Sequence, residues 1–296
     1  MQALPKILVT GANGQLGKEL KQLSEQHQQF EFVFLSKEDL PIHHFEMLHK
    51  NFEMHKPSYV INCAAYTAVD RAEQEKDLAM QINSEATGML AKVCKENNCR
   101  FIHISTDYVF DGMAKQPYKE DDATNPQSVY GISKLEGEQL AMKYNPDTII
   151  MRTSWVYSEY GKNFVKTMMK LMNEREKIGV VNDQIGSPTY AADLAEAIMQ
   201  TIQWLHIHNS QLTTHSGIYH FSNSGIISWY DFAVAIKQLI RSNCKINPIP
   251  TTAYPTPAKR PVYSVLDTTK IQNTFGVHLK DWKESLAICI DKIKKQ

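Results

Sequence analysis

The sequence predicts an α/β protein, with a doubly wound parallel sheet followed by a smaller C-terminal α/β domain. Three observations lead to this prediction. Short apolar runs alternate with helical stretches through the first half, a glycine-rich turn follows the first run, and the alternation breaks down after residue 155. We therefore expect an N-terminal domain over residues 1–154, with a returning segment near 190–223, and a smaller domain over residues 155–296.

The predicted strands of the first half are short runs of β-branched and apolar residues. They lie at residues 6–10, 31–35, 59–63, 100–105 and 148–153, and stretches with helical periodicity lie between them at 15–25, 43–55, 72–96 and 128–144. Apolar runs separated by helices are typical of βαβ units, in which the sheet is buried on both faces. The pattern therefore favours parallel strands.

The second half of the chain is less regular. Helical patterns cover residues 163–175, 191–205 and 229–240, and a further strand is predicted at 217–222. That strand could pair with the main sheet of the N-terminal domain. We therefore expect the N-terminal domain to be discontinuous in sequence. Residues 246–262 are rich in Pro and Thr, which predicts a loop.

Charge and hydropathy argue against two classes of partner. Lys and Arg total 32, Asp and Glu total 32, and the formal net charge is zero with a pI near 7.2. No global field therefore favours nucleic acid or an anionic membrane surface. No stretch approaches the roughly 20 apolar residues of a membrane span. We expect neither nucleic acid nor membrane as a partner, and the sequence leaves open whether the protein is a monomer or a homodimer.

Cysteine and histidine usage predicts a reducing compartment and no metal site. The five cysteines are odd in number and lack C-x-x-C spacing, which is typical of free thiols in the cytosol. The first ten residues, MQALPKILVT, lack the features of a secretory signal, which also favours a cytoplasmic location. His206 and His208 come nearest to a ligand pair, and we expect a solvated strand or loop there instead.

A glycine-rich turn directly follows the first predicted strand and opens a helix. It reads Gly11-Ala12-Asn13-Gly14-Gln15-Leu16-Gly17. Such a junction needs glycine where the backbone turns tightly, approaches a pyrophosphate and packs the helix on the strand. The free N–H groups of the helix N-terminus then face the phosphates. The turn therefore predicts dinucleotide binding, and a purely structural glycine turn is the alternative.

The end of the second predicted strand bears on the choice of coenzyme. An acidic residue there usually binds the ribose 2′-OH of NAD. Here Ser36 and Lys37 could receive a 2′-phosphate, whereas Glu38 or Asp39 would favour NAD if the strand ran longer. We expect NADPH, with NADH as the alternative.

Tyr130 and Lys134 stand four residues apart on a predicted helix, so both side chains share one face. Reduction of a ketone needs a hydride on carbon and a proton on the developing alkoxide. A free phenol has a pKa near 10, and a nearby ammonium together with a cationic coenzyme ring would lower it. The pair therefore predicts a proton donor. Considered without the glycine turn, an exposed helix pair would be the simpler interpretation.

Several motifs resemble those of one enzyme family. I-S-T-D-Y-V-F-D-G at 104–112 and Y-G-I-S-K at 130–134 are similar to the extended short-chain dehydrogenase/reductase superfamily. N-C-A-A-Y-T-A-V-D, R-T-S-W, D-Q-I-G-S-P-T and R-P-V-Y-S begin at residues 62, 152, 183 and 260. With them, nearly the whole chain resembles the dTDP-4-dehydrorhamnose reductase family. The resemblance implies a Rossmann-type fold and NAD(P)H-dependent reduction of the 4-keto group of a dTDP-linked 6-deoxyhexulose.

The same resemblance implies further site residues. Thr106 would donate to the substrate carbonyl beside Tyr130, and Lys134 would bind the nicotinamide ribose. Asp107 and Tyr108 would contact the sugar nucleotide. In the related 4,6-dehydratases a Glu occupies the place of Tyr108, so elimination lacks its base here. Strand termination is the alternative role of Thr106.

The remaining implied contacts divide into substrate and coenzyme contacts. The substrate would contact Trp155, Asp183, Gln184, Ser187 and Arg260. The alternative is core packing for Trp155, a plain turn for Asp183, Gln184 and Ser187, and a solvated loop arginine for Arg260. The coenzyme would also meet Ile42, Ala64, Ala65, Tyr66, Ser105 and Asn83, the last supporting Lys134 through water.

Two rival functions remain open from sequence alone. One is a non-catalytic, NADP-binding regulatory subunit of the methionine adenosyltransferase β type. The other is a reductase or epimerase of a different nucleotide sugar. Some family members hold a bridging magnesium ion through glutamates. Glu19 fits one such place, but no other residue could be matched, so we expect no metal.

Overall fold

The computed structural model describes residues 4–208 and 215–296. The prediction made from the first ten residues therefore falls partly outside the described chain. The strands are β1 Lys6–Thr10, β2 Glu31–Leu35, β3 Tyr59–Asn62, β4 Arg100–Thr106, β5 Ile149–Thr153, β6 Val156–Tyr157, β7 Lys177–Val181, β8 Ile185–Gly186, β9 Thr189–Tyr190, β10 Gly217–His220, β11 Ile227–Ser228 and β12 Lys245–Ile249.

The helices alternate with these strands. They are α1 Gln15–Ser24, α2 Phe45–His55, α3 Val69–Ala72, α4 Lys76–Met80, α5 Ala86–Glu96, α6 Val129–Tyr144, α7 Phe164–Glu174, α8 Ala191–Ile207, α9 Trp229–Ile240, α10 Thr269–Phe275 and α11 Trp282–Lys294. A π-helical turn, Gln81–Glu85, joins α4 to α5. In the described part of the chain, no helix combines the length and apolarity needed to cross a membrane.

Six described strands form one parallel sheet in the order β10-β5-β4-β3-β1-β2. The α/β prediction is therefore confirmed, and so is the return of the strand near 217–222, because β10 pairs with β5. The chain moves outward from β1 in both directions, to β2 on one side and to β3 on the other. Crevices at the carboxyl ends of strands at such a reversal are where open α/β sheets bind ligands.

The sheet is buried on both faces because alternate residues of each strand point to opposite sides. Ile7 and Val9 of β1 pack in one apolar cluster with α1 and α8, while Leu8 between them packs in another with α2 and α5. A third cluster is built from α7, α9, α11, β7 and β12. We propose that this third cluster is the core of the smaller domain, and that α8 and β10 are the returning segment of the N-terminal domain.

Two predictions about elements were wrong in detail. The helix expected over 72–96 is divided, because the π-helical turn interrupts it and turns Asn83 towards the loop after β3. Residues 245–249, expected partly as loop, form β12 and pair in parallel with β7. Pro248 lacks a backbone N–H, which is tolerated here because the described part of this sheet has two strands, each of them an edge strand.

Helix α6 is fastened to the sheet by a buried ion pair. Arg152 of β5 donates from Nε and Nη2 to both carboxylate oxygens of Glu138, and the Nη2–Oε2 distance is 2.7 Å. Their side chains are 2% and 3% exposed. On the opposite side, a β-carbon at Gly137 would stand 2.0 Å from the carbonyl oxygen of Asn83. Glycine is therefore required for α6 to lie this close to the π-helical turn.

We predict that Glu138→Leu lowers the free energy of unfolding by about 3–5 kcal/mol, because it leaves the buried Arg152 guanidinium without its counter-ion. The double variant Glu138→Leu/Arg152→Met should recover most of that loss. Urea unfolding of the three proteins tests this. A single variant within about 1 kcal/mol of the wild type would contradict the assigned role.

A second buried polar cluster joins α1 to α11. Ser158 donates to Glu19 Oε1 at 2.6 Å, and Glu159 is held by Lys292 at 2.9 Å and by the hydroxyl of Tyr190 at 2.8 Å. Both glutamates are 2% exposed. Burial, reinforced by the neighbouring Glu159, raises the pKa of Glu19 to about 8, whereas Lys292 opposes the shift.

We predict that Glu19 makes stability fall as the pH rises. Since its pKa in the folded state is raised, its contribution is fully present below about pH 4.5 and is lost as the pH rises through about 8. Glu19→Gln keeps the acceptor for Ser158 and removes the titration. The melting temperature of the wild type should drop by a few °C relative to this variant between pH 5 and 8. A constant difference across that range would refute the prediction.

Candidate active site

The glycine turn leaves a backbone cradle at the carboxyl end of β1. Gly11 has φ +66°, and a β-carbon there would stand 2.7 Å from the backbone nitrogen of Ala64. A β-carbon at Gly17 would stand 2.5 Å from the carbonyl oxygen of Gly11. Larger residues at either position would therefore push the turn away from β3 or lift α1 from the sheet.

The N-terminus of α1 is free to bind an anion. Gly14 is the N-cap residue and supplies no side-chain cap, and the first turn carries no acidic residue. Asn13 is exposed beside it, and Leu16 is buried beneath. Gln15 accepts a hydrogen bond from Asn163 Nδ2 at 2.8 Å, which ties the turn to the segment before α7. Uncapped N–H groups and the helix dipole favour a phosphate at this position.

The loop after β2 carries Lys37 at the place where dinucleotide sites of this kind bind the adenosine ribose. Ser36 is occupied within the loop, because its hydroxyl accepts from the backbone N–H groups of Glu38 and Asp39. The carboxylate of Asp39 accepts from the backbone N–H of Ser36 at 2.9 Å. The side chain of Lys37 is exposed. The acid that would recognise a 2′-OH is therefore engaged locally, whereas the lysine is available.

The other predicted coenzyme residues lie along the carboxyl edge of the sheet. Ile42 is buried, and Ala64 and Ala65 are half-buried in the loop after β3. Ser105, in β4, is 4% exposed and its hydroxyl has no hydrogen-bond partner among the described residues. An orphaned buried hydroxyl at this edge is the kind of group a ligand amide or hydroxyl would satisfy. Together with the uncapped helix, it shows that these residues suit a dinucleotide.

Asn83 organises the neighbourhood of α6. Its Oδ1 accepts from the backbone N–H of Tyr66 at 2.8 Å, and its Nδ2 donates to the carbonyl of Tyr66 and to Ser133 Oγ at 3.0 Å each. The predicted contact with Lys134 through water stays a prediction. What the structure does show is a bridge from the loop after β3 to the residue beside Lys134.

Tyr130, Thr106, Asp107 and Tyr108 are brought together at the carboxyl end of β4. Thr106 is 5% exposed; its hydroxyl donates to Asp107 Oδ1 at 2.9 Å and accepts from the backbone N–H of Tyr108 at 3.2 Å. The rings of Tyr108 and Tyr130 meet edge to face, with centroids 5.5 Å apart. Ser128 caps α6 through the N–H of Gly131, so Tyr130 sits in the first helical turn.

Burial dominates the titration of this group. It raises the pKa of the Tyr130 phenol, which a hydrogen bond with Thr106 partly offsets. It raises the pKa of Asp107 to about 6, against hydrogen bonds from Thr106 and Ser264. The pKa of Tyr108 rises to about 12 for the same reason. The protein alone therefore keeps Tyr130 protonated, whereas from the sequence we expected Lys134 to lower its pKa.

Lys134 shares a helix face with Tyr130 but extends towards the sheet. Its Nζ donates to the carbonyl of Ile104 at 2.6 Å and lies 3.1 Å from His103 Nε2. The side chain is 2% exposed, and burial lowers the pKa of the amine to about 8, against the opposing charge of Glu138. Lysine with such a pKa changes charge near neutral pH, which suits a group that exchanges protons.

Arg260 is not the free loop arginine that an anion site would need. Its Nη2 lies 2.7 Å from Asp70 Oδ2, and its Nη1 lies 3.4 Å from the Tyr108 hydroxyl. Asp70 also accepts from the backbone N–H of Ala258 at 3.2 Å. The segment 258–260 is therefore held across the cleft by a carboxylate that sequence reasoning left without a role.

Trp155 combines packing with an unusual backbone. Its ring stacks on Trp229 with centroids 3.6 Å apart, and a β-carbon at Gly186 would collide with it. Its φ of +49° lies in the left-handed region, which a bulky residue rarely adopts. Strained backbone of this kind concentrates at functional sites, and the substrate contact of Trp155 stays a prediction. Ser187 is 3% exposed and donates to the carbonyl of Gly225.

Asp183 and Gln184 lie farther out, where they hold a short loop. The carboxylate of Asp183 accepts from both the backbone N–H and the hydroxyl of Thr251, and Gln184 Nε2 donates to the same hydroxyl at 3.1 Å. Both residues therefore shape the 251–253 turn. Their predicted contact with the substrate stays a prediction.

Sequence reasoning missed Asp70, Ser264 and His103. Asp70 closes the N-C-A-A-Y-T-A-V-D motif, and an acid at the end of such a motif was a signal. Ser264 closes R-P-V-Y-S and touches Asp107. His103 is a lone polar residue in an apolar strand, a pattern that by itself indicates no more than a buried histidine.

Comparisons with known proteins show which family the chain belongs to. The family model described as RmlD substrate binding domain matches residues 5–295. The chain is 43% identical to dTDP-4-dehydrorhamnose reductase of Aggregatibacter actinomycetemcomitans, with 96% of this chain and 97% of that protein covered. A crystal structure of such a reductase from Clostridium acetobutylicum has a TM-score of 0.91 and 44% identity, covering 98% of this chain and 99% of that one. The Bacillus anthracis enzyme in complex with NADP has a TM-score of 0.91 and 37% identity, over 98% and 100% of the chains.

We predict that Lys37→Ala lowers kcat/KM with NADPH roughly tenfold and leaves kcat/KM with NADH almost unchanged, because only NADPH carries a phosphate for the ammonium to contact. Steady-state kinetics with both coenzymes provide the measurement. Lys245→Ala, an exposed lysine of β12, is the control. An equal loss with both coenzymes would contradict recognition of the 2′-phosphate by Lys37.

Proposed function

The chain belongs to the RmlD substrate binding domain family, and we propose that it is a dTDP-4-dehydrorhamnose reductase. It reduces the 4-keto group of dTDP-4-dehydrorhamnose to give dTDP-L-rhamnose, with NADPH as reductant. This is the last step of dTDP-rhamnose biosynthesis, which supplies cell-surface polysaccharide. The observation that carries the proposal is the convergence of Tyr130, Thr106 and Lys134 at the carboxyl edge of a sheet whose first turn suits a dinucleotide.

The coenzyme residues are proposed from the same edge. The turn from Gly11 to Gly17 and the N-terminus of α1 hold the pyrophosphate, and Lys37 contacts the 2′-phosphate. Ser105 offers a hydroxyl to the nicotinamide end. When bound, NADPH supplies the hydride that reaches the carbonyl carbon of the substrate.

We assign the proton to Tyr130. Burial keeps the phenol protonated at neutral pH by raising its pKa, so it can donate to the oxygen that gains charge as the ketone is reduced. In the structure the hydroxyl of Thr106 donates its one proton to Asp107 Oδ1, and we propose that it turns this proton to the same substrate oxygen when the substrate binds. Lys134, with a pKa of about 8, is the adjacent group that can return a proton to Tyr130.

Reduction fits the residues better than elimination. A dehydratase of the related kind needs a carboxylate base beside the acid, and Tyr108 stands at that position with a pKa raised to about 12. A phenol in that state does not remove a proton at neutral pH. Asp107 is the remaining acid. Its carboxylate accepts hydrogen bonds from the hydroxyl groups of Thr106 and Ser264, so we assign it to substrate binding and not to proton removal.

The substrate contacts follow the cleft outward. We propose that Asp107, Tyr108 and Trp155 contact the sugar, and that Arg260 reaches a phosphate oxygen when it leaves Asp70. Ser187, Asp183 and Gln184 shape the outer wall of the cleft.

Five cysteines are free, four of them buried, which supports action in the reducing cytoplasm. Light scattering would distinguish a monomer from a homodimer, which the sequence left open.

We predict that Tyr130→Phe lowers kcat roughly 10²- to 10⁴-fold, because the alkoxide then lacks its positioned acid. Binding of NADPH, followed by fluorescence, should change little. A coupled assay from dTDP-4-dehydro-6-deoxyglucose with its 3,5-epimerase measures turnover, and Tyr144→Phe, an exposed tyrosine at the end of α6, is the control. If the Tyr130→Phe variant kept most of its rate, another group would be the proton donor. A wild type that binds NADPH but turns over no ketone would favour a regulatory subunit.

A further inference from the structure

A chain of buried polar groups runs from Lys134 into the centre of the sheet. Lys134 Nζ lies 3.1 Å from His103 Nε2, His103 Nδ1 lies 3.0 Å from Asn62 Nδ2, and Thr10 Oγ1 donates to Asn62 Oδ1 at 2.6 Å. None of the four is more than 2% exposed. The chain crosses β4, β3 and β1 and ends at Thr10, which accepts weakly from the backbone N–H of Ala64.

One set of bond directions follows from the bond between Thr10 and Asn62. Since Thr10 donates to Oδ1, the amide nitrogen of Asn62 faces the imidazole and donates to Nδ1. Burial and the adjacent Lys134 lower the pKa of His103 far below its usual value, so the ring is neutral. Its one proton is therefore on Nε2. That proton points at Lys134, which can accept it only as a neutral amine while donating to the carbonyl of Ile104.

The same chain can run in the opposite direction. If Lys134 carries a proton, its ammonium donates to Nε2, and the ring proton then sits on Nδ1. The Asn62 amide turns over and accepts through Oδ1, and the hydroxyl of Thr10 accepts from its Nδ2. Imidazole and amide are each donor and acceptor, so His103 and Asn62 keep both of their side-chain partners when the chain reverses, and the hydroxyl proton of Thr10 turns away from Asn62.

We propose that His103 and Asn62 are positioning residues that keep the amine of Lys134 hydrogen-bonded in both of its charge states, so that it can release and regain a proton at each turnover. This proposal rests on the proposed function, in which Lys134 returns a proton to Tyr130. A partner that only donates or only accepts would leave one of the two states unsatisfied, and a buried group without its partner is destabilised.

The other groups around Lys134 do not offer this adaptability. The carbonyl of Ile104 only accepts. Glu138, one turn along α6, is held by Arg152 and raises the pKa of Lys134 through its charge. Cys63 faces the amine from the end of β3, and burial raises the pKa of its thiol, so it stays neutral. His103 is thus the side chain on which the charge cycle of Lys134 depends.

The direct test is the tautomer of His103, read from the ¹⁵N shifts of its ring nitrogens in the coenzyme-free protein between about pH 6 and 10. We expect the proton on Nδ1 at low pH and on Nε2 at high pH, with a midpoint near the pKa of Lys134, about 8. His103→Gln identifies the signals. A single tautomer over the whole range, in folded protein, would overturn the proposal. This readout needs no substrate, so it fails independently of the proposed function.

Kinetics provide the second arm. His103→Leu should lower kcat roughly 10- to 100-fold and move the basic limb of its pH profile to lower pH, with little change in KM. His103→Gln, whose amide can also reverse, should restore much of the rate. His220→Leu, which removes another buried histidine of the same sheet, should leave the pH profile unchanged. Loss of rate in His103→Leu with an unmoved pH profile, or no rescue by Gln, would reduce His103 to a packing residue.

Discussion

The attachment of α6 to the sheet is the constraint on which the site depends. Two buried side chains of this helix, one turn apart, bond to the sheet: Lys134 to the carbonyl of Ile104 in β4, and Glu138 to Arg152 in β5. Gly137 lets the helix lie against the π-helical turn on its other side. These contacts set the height and rotation of α6, and so they place Tyr130 beside Thr106. A helix held by apolar packing alone could slide or rotate by small amounts that would move the phenol away from the reacting oxygen.

The cleft is also tied across its mouth. Asp70 bonds both to the guanidinium of Arg260 and to the backbone of Ala258, which fastens the 258–260 segment to α3. Gln15 is bonded to Asn163 near the glycine turn, and the Glu19 cluster links α1 to α11. Each contact joins a coenzyme-binding element to the C-terminal half. An anionic substrate would compete with Asp70 for Arg260. In our account, substrate binding therefore weakens the contact between Asp70 and the 258–260 segment.

The sheet could be predicted from sequence because strands buried on both faces are apolar throughout, and only a few segments of the chain have that property. The glycine turn and the Tyr130 and Lys134 pair could be placed because each depends on local spacing. Periodicity could not show where a residue bonds to a partner other than the one that its local pattern predicts. The π-helical turn at Asn83 changes the backbone bonding of a stretch whose residue pattern predicts one α-helix. The prolines and threonines around Pro248 predict a loop where the chain forms β12. The partners of Trp155 and Arg260 lie far away in sequence, and no local pattern specifies them. The role of His103 could not be predicted either, because it depends on Lys134, which lies on another element.

The central claim is that the fixed position of α6 makes Tyr130 the proton donor to the 4-keto oxygen. A crystal structure of the protein with NADP and dTDP-L-rhamnose tests it most directly. Our account places the hydroxyl groups of Tyr130 and Thr106 both within hydrogen-bond distance of the oxygen on C4, with Lys134 still bonded to the carbonyl of Ile104. A sugar whose C4 faces away from Tyr130, or a Tyr130 ring turned out of the cleft, would contradict it.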